Sequence, residues 1–163
     1  MASVNPIPQG FHTITPNLVL RDCAKAMDFY KRALGAQEMS RMTAPDGKSI
    51  WHASLKIGDS IIFMADEMPG MSRPAPSAQN PVPVTMWLYV QDADAAYRRA
   101  VDAGAKSLME PADMFWGDRC AGVSDPYGYN WSFATHKKDM TQEEMKRAGE
   151  EFARSQQQRS QHP

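Results

Sequence analysis

Cysteine is scarce: Cys23 and Cys120 are the only two in 163 residues, too few for a disulfide framework and consistent with free thiols in a reducing compartment. Both are read as buried thiols, although Arg119 beside Cys120 would favour a reactive thiolate if it reached the sulfur. Long apolar runs are also missing. SIIFMA at 60–65 is far below the ~20 residues that cross a bilayer, and the opening MASVNPIPQG has neither the basic start nor the apolar core of an export signal. A cytoplasmic protein with no membrane partner is expected. Charge of one sign is lacking too, with 18 Lys plus Arg against 19 Asp plus Glu. No positive field is available to hold a phosphate backbone, so nucleic acid is not expected as a partner.

What the chain does contain is 42% hydrophobic and 23% charged residues, a globular composition, and one unit written twice. TPNLVLRDCAKAMDFYKRALGA, from Thr15 to Ala36, matches TMWLYVQDADAAYRRAVDAGA, from Thr85 to Ala105. Each copy is a strand-like run, an Asp able to cap a helix, and a helix closing at Leu34-Gly35 or Ala103-Gly104. Asp22 and Asp92 stand 70 positions apart (92 − 22), as do the turn glycines Gly58 and Gly128 (128 − 58). Between the copies, prolines 69, 74, 76, 81 and 83 forbid helix and central strand alike. The organisation expected is a first module at 11–66, a linker at 67–83, a second module at 84–137, and a C-terminal helix and tail at 138–163, the two modules forming one domain.

The i, i+3, i+4, i+7 stripe predicts that helix one buries Cys23, Ala26, Met27, Tyr30, Ala33 and Leu34, and helix two Ala93, Ala96, Tyr97, Ala100 and Val101. SIWHASLKIG, SIIFMAD, RCAGVSD and YNWSFAT read as strands. In the first strand of each copy, alternation turns Leu18, Leu20, Met86, Leu88 and Val90 toward the helices and Thr15, Asn17, Val19, Thr85, Trp87 and Tyr89 to the opposite face. In the last strands, Ile61 and Phe63 are expected to follow Trp131 and Phe133 toward the helices, leaving Ile62, Met64, Asn130 and Ser132 opposite. Thr141-Gln142-Glu143-Glu144 is a capping box opening a terminal helix with Met145, Ala148 and Phe152 on one face, and the tail QQQRSQHP should fray.

The helix pattern D-x6-FY-x4-GA and the DPYGYNW turn-strand, repeated in register over about residues 11 to 137, resemble the vicinal oxygen chelate superfamily, which includes glyoxalase I, bleomycin-resistance proteins, fosfomycin-resistance enzymes and extradiol dioxygenases. GDRCAGVSDPYGYNWSFATH resembles its PhnB-like branch. The resemblance implies an α+β fold of two βαβββ modules whose curved mixed sheets form a cup, here followed by a short C-terminal helix. It also implies metal ligands at the residue seven before each capping Asp and four after each turn glycine: Thr15, Thr85, Ile62 and Ser132. None of these is His, Glu, Gln or Asp, and hydroxyls with an isoleucine offer neither charge nor soft donors. No metal and no other cofactor is therefore expected.

Other candidates divide between function and structure. His52 is a proton acceptor near the cup or a hydrogen-bonded structural histidine. His12 is ten residues before Asp22 rather than seven and is read as a strand-entry residue, His136 as a cap or surface residue, and His162 as tail. In ADMFWGDRCAG, Phe115 and Trp116 form either a packed loop, with an ion pair around Asp118 and Arg119, or a lid over an apolar ligand whose carboxylate or phosphonate Arg119 receives. Trp51 and Trp87 supply stacking walls or core. The ligand-binding set is thus Thr15, Asn17, Trp51, His52, Ile62, Thr85, Trp87, Trp116, Arg119 and Ser132. The function expected is binding of a small organic molecule, of the sequestering or resistance type, in a homodimer. The alternative is a glyoxalase-like lyase or related enzyme acting on a small carbonyl or aromatic substrate, with a metal or with His52 as base.

Overall fold

A computed structural model describes residues 5–72 and 74–160. The first module runs β1 (Asn17–Leu20), α1 (Cys23–Leu34), β2 (Gln37–Thr43), β3 (Ile50–Ile57) and β4 (Ser60–Asp66). The second repeats it as β5 (Thr85–Tyr89), α2 (Ala93–Asp102), β6 (Lys106–Asp113), β7 (Asp118–Ser124) and β8 (Asn130–His136). A terminal helix, α3 (Gln142–Ser160), follows. Each module is a four-stranded sheet, ordered β1-β4-β3-β2 and β5-β8-β7-β6, with one parallel pair and two antiparallel pairs. Among the described residues no strand of one sheet pairs with a strand of the other, so β1 and β5 are both edge strands.

The helices start and stop where the sequence signals them. Asp22 accepts from the Lys25 amide at 3.1 Å and Asp92 from the Ala95 amide at 2.9 Å, each satisfying a first-turn N–H that has no partner within the helix. Gly35, at φ 67°, closes α1 in the left-handed conformation. All six residues of the helix-one stripe are buried, whereas on α2 Ala93, Ala96 and Ala100 are buried and Tyr97 and Val101 only partly so.

Helix α1 packs on the strands of sheet one, α2 on those of sheet two, and the two helices pack on each other. One continuous core therefore joins Leu18, Leu55 and Met64 of sheet one to Val123, Trp131 and Phe133 of sheet two. Tyr30 of α1 meets Trp131 of β8 edge-on, with ring centroids 5.3 Å apart. The helix-covered inner faces look toward each other, and the outer faces look out.

The repeat slips by one residue in its last strand. Leu18 pairs with Met64 and Leu88 with Phe133, so an offset of 70 in the first strands (88 − 18) becomes 69 in the last (133 − 64). Ile62 and Met64 consequently face inward, Ile62 only 5% exposed, while Phe63 and Ile61 take the outer face. The expectation that Ile62 belongs to the cup is corrected: one residue fewer separates Gly128 from its first core-facing side chain, and in a strand a one-residue slip reverses every side chain.

The proline-rich segment carries an isolated bridge, Ser77 to Asn80, and lies against the second turn. A Cβ on Gly128, whose φ is 93°, would sit 2.5 Å from the Ser77 carbonyl oxygen. The capping box opens α3 as read, with the Thr141 amide donating to Glu144 at 2.9 Å and the Glu144 amide to the Thr141 hydroxyl at 3.2 Å. The helix continues to Ser160, through most of the polar stretch expected to fray. His162 lies outside the described residues. No helix among the described residues is long and apolar enough to cross a membrane.

Candidate functional site

The predicted site residues fall on two outer sheet faces rather than in one cup. On sheet one, Asn17 pairs with Phe63 in parallel register and Phe63 with Ser54. His52 packs edge-on to Phe63 with centroids 4.7 Å apart, and Phe11 covers the other side of Phe63 at 5.6 Å. Neither His52 nitrogen takes a hydrogen bond from the described residues. Thr15 stands ahead of β1, its hydroxyl 3.5 Å from the His12 carbonyl. Trp51 has no partner in the β2 register, which steps from Met42–His52 to Thr43–Ile50. It is the extra residue of a β-bulge, and the bulge returns Ile50 to the core.

On sheet two, Trp87 pairs with Ser132 and Ser132 with Gly122, while Thr85 pairs with Asn130. Trp87 is 46% and Tyr89 69% exposed, two large aromatics side by side on the open face of an edge strand. Further along the same face, Asp118 and His136 are register partners. Asp118, 4% exposed, accepts from His136 Nδ1 at 2.7 Å, from Trp116 Nε1 at 3.2 Å and from the Tyr89 hydroxyl at 3.4 Å. His136 Nε2 meets Asp139 at 3.0 Å. The hydrogen bonds that its ring donates to Asp118 and then Asp139 raise the His136 pKa above its ordinary value. The sequence reading left His136 as a cap or surface residue. The signal for the pair was the parity of GDRCAG and SFATH, which puts Asp118 and His136 on the face of Ser132.

The expectation that Arg119 receives a ligand anion is corrected here. Arg119 does not look into the cup: it pairs across the register with Thr135 on the inner side and binds Asp94 of α2 through Nε and Nη2, at 2.5 and 2.8 Å, and Asp113 through Nη1 at 3.1 Å. Alternation puts it on the opposite face from Asp118, so it is not held for a ligand anion. For the same reason it does not activate Cys120. Burial, and then the nearby Asp118, push that thiol pKa up, and burial pushes Cys23 up to about 12, as inert buried thiols behave. Phe115 is committed to α3 through Phe152, centroids 5.3 Å apart, leaving Trp116 as the aromatic of that loop beside the Asp118 cluster.

The four implied metal positions do not fit a metal. Thr15, Thr85 and Ser132 offer neutral hydroxyls, and Ile62, or Phe63 which takes its place on the outer face, offers no donor. Among the described residues, no group of three or more His, Cys, Asp or Glu is placed to hold a metal ion.

Comparison with known proteins adds the following. The profile of the Glyoxalase/Bleomycin resistance protein/Dioxygenase superfamily matches residues 10–133. An uncharacterized protein of Mycobacterium tuberculosis is 38% identical over 138 residues, covering 83% of this chain and 81% of that one. The crystal structure of TioX from Micromonospora sp. ML1 superposes with a TM-score of 0.62 at 26% identity, over 77% of this chain and 98% of TioX. The X-ray structure of an Arabidopsis thaliana gene product does so with a TM-score of 0.62 at 28% identity, over 76% of this chain and 98% of that one.

Proposed function

The chain belongs to the Glyoxalase/Bleomycin resistance protein/Dioxygenase superfamily, and from that premise we propose that it binds a planar small organic molecule on the outer sheet faces, without the metal centre of the superfamily's enzymes. The observation that carries this reading is the pair Trp87 and Tyr89, exposed on one face of β5 beside the neutral Ser132. Residues i and i+2 of a strand stand about 6.5–7 Å apart, close to two ring contact distances of about 3.5 Å. A flat ring fits between them. Thr85, Asn17 and His52 supply hydrogen-bonding groups without adding a fixed charge.

A second chain completes the cup in this reading. Each outer face is open, each sheet ends in an unpaired edge, and the inner faces are already used within the chain. A homodimer that sets sheet one of one protomer against sheet two of its partner brings the exposed Trp51, Trp87 and Tyr89 into one enclosed face. Light scattering at micromolar concentration should give twice the 18.2 kDa chain mass. A monomer over a hundredfold range of concentration overturns this part.

Binding is tested by titrating planar heteroaromatic compounds against tryptophan fluorescence, with and without a chelator. Quenching that survives the chelator and falls at least tenfold in affinity for Trp87→Ala is expected. Stoichiometric zinc, nickel, iron or manganese in protein purified without a chelator overturns the reading. The second reading, an enzyme acting on a small carbonyl compound, is favoured by His52, an imidazole on the outer face of sheet one whose nitrogens take no hydrogen bond among the described residues. Deuterium exchange next to the carbonyl of such a compound, lost in His52→Gln, would establish it.

A further inference from the structure

The inner side of the molecule holds a second concavity. Helix α2 packs mainly on β6, β7 and β8, and the inner-facing Met86, Leu88 and Val90, though packed against the core, are only partly buried. With Trp87 and Tyr89 of the same strand they line a cleft of about 660 Å³, walled opposite by Ile14, Ile61 and Asp59. That volume lies within the range of small-molecule sites, and its lining is largely apolar.

At one end of this cleft stands Arg99, which also borders a neighbouring depression of about 480 Å³ shared with Arg32, Arg98 and Asp102. Arg99 Nε donates to the Ala33 carbonyl at 3.1 Å, near the C-terminus of α1, and this fixes the guanidinium where apolar cleft and basic depression meet. Among the described residues, none of these three arginines has a carboxylate within 4 Å. Asp94, the other acidic residue of α2, is taken by Arg119, and Asp102 forms no ion pair among the described residues. A largely apolar trough, with Asp59 on its wall, thus leads to three arginines with Asp102 among them. An apolar chain fills the trough, and an anionic head group gives these exposed cations a partner other than water.

We propose that this inter-module cleft, which meets the outer face of sheet two at Trp87 and Tyr89, also takes a single-chain anionic amphiphile: an alkyl, acyl or aryl chain lying along β5, with its phosphate or carboxylate received by Arg99, Arg98 and Arg32. Arg99 holds the head group by two-pronged hydrogen bonds from the nitrogens its helix cap leaves free, and Leu88 and Met86 bury the chain.

Calorimetry with dodecyl phosphate below its micelle concentration tests this, with inorganic phosphate and a vesicle of phosphatidylglycerol as further arms. One site per chain is expected, with inorganic phosphate at least a hundredfold weaker. Arg98→Gln with Arg32→Gln should weaken dodecyl phosphate at least tenfold, and Leu88→Glu should abolish it. Because Arg99 also caps α1, Arg99→Lys serves as its variant: it keeps the charge and should lose only a few-fold. Circular dichroism shows that each variant is folded. His52→Ala, on the outer face of sheet one, should leave this binding unchanged, so failure of the proposed function and failure of this site are distinguishable. Unchanged affinity in the Arg98/Arg32 variant overturns the proposal. So does binding to the vesicles but not to dispersed dodecyl phosphate. A fall in oligomeric mass on adding the amphiphile also overturns it, because a second copy would then be the natural occupant.

Discussion

At the end of β4, the Asp66 carboxylate accepts the amide of Cys23, the first residue of α1, at 2.7 Å, and with its other oxygen the amide of Ile50, also at 2.7 Å. At the end of β8, the Thr135 hydroxyl accepts the amide of Ala93, the first residue of α2, at 2.8 Å, and donates to the Val90 carbonyl at 3.0 Å. The two residues are 69 apart (135 − 66), the same offset as the slipped core positions. The repeat therefore conserves a demand, an acceptor for a helix N–H that no helical carbonyl reaches, rather than a residue type. A second contrast lies at the turns. The Gly128 turn is held by Asp125 and pressed against the linker, whereas the Gly58 turn has nothing within 4 Å of a Cβ. The second module carries the contacts that lock the two together, and the first is the more tolerant copy.

The sharpest way to break this asymmetry is Asp125→Ala. The carboxylate is 2% exposed and accepts from the Tyr30 hydroxyl of the first module at 2.6 Å, Trp131 Nε1 at 2.9 Å, and the amides of Tyr127 and Tyr129, each at 2.9 Å. Removing it strands several buried donors at about 1–3 kcal/mol each, so a loss of about 4 kcal/mol or more in urea unfolding is expected. A loss below about 1 kcal/mol would show that the modules do not depend on this hub.

Next in size is the glycine pair. Gly128→Ala needs a left-handed alanine and must also move Ser77 away, and should cost about 3 kcal/mol, while Gly58→Ala meets only the left-handed penalty, about 1 kcal/mol. Equal thermal shifts for the two would remove the linker contact from the account. Asp66→Ala leaves two amides without an acceptor and should cost about 2–3 kcal/mol, against about 1 kcal/mol for Thr135→Val, which frees one. The reverse order would mean that the two strand ends are not doing the same task.

The smallest effect is a pH dependence confined to the second module. The folded pKa of His136 lies above its ordinary 6.5, so its contribution to stability is complete below about pH 6.5 and is lost as the pH rises past the raised value. The unfolding midpoint of His136→Gln should therefore converge on that of the parent protein toward alkaline pH and fall below it toward pH 6. Because the ring is half-exposed, the difference should be modest and salt-sensitive. Parallel curves across pH 6 to 9 would place the imidazole outside the linkage.

Much of the fold was legible because periodicity reports burial. The stripe of α1, the capping aspartates and the parity of β1, β5 and β8 all follow from which side of an element meets a helix. The β4 parity was not legible, because Gly58 and Gly128 align while the chain after them differs by one residue, and only the pairing of Leu18 with Met64 reveals the slip. Arg119 was misread for a related reason. Its neighbours in sequence, Asp118 and Cys120, face outward, and a strand residue takes the opposite side from both. Asp118 with His136 was reachable by parity, but the buried position of that carboxylate was not.

By itself the sequence determined that two copies of one unit fold alike, that their helices are amphipathic, and that the implied ligand positions hold hydroxyl and hydrocarbon side chains. These are local properties, set by period, capping and donor chemistry. Only the tertiary structure decided that the helices pack between the sheets, that the outer faces open in different directions, and that Arg32, Arg98 and Arg99 meet at the end of an uncovered strand. Such relations join residues tens of positions apart. They are settled by which apolar surfaces find each other once the chain closes, and no repeat written in the sequence states which face of one copy meets the other.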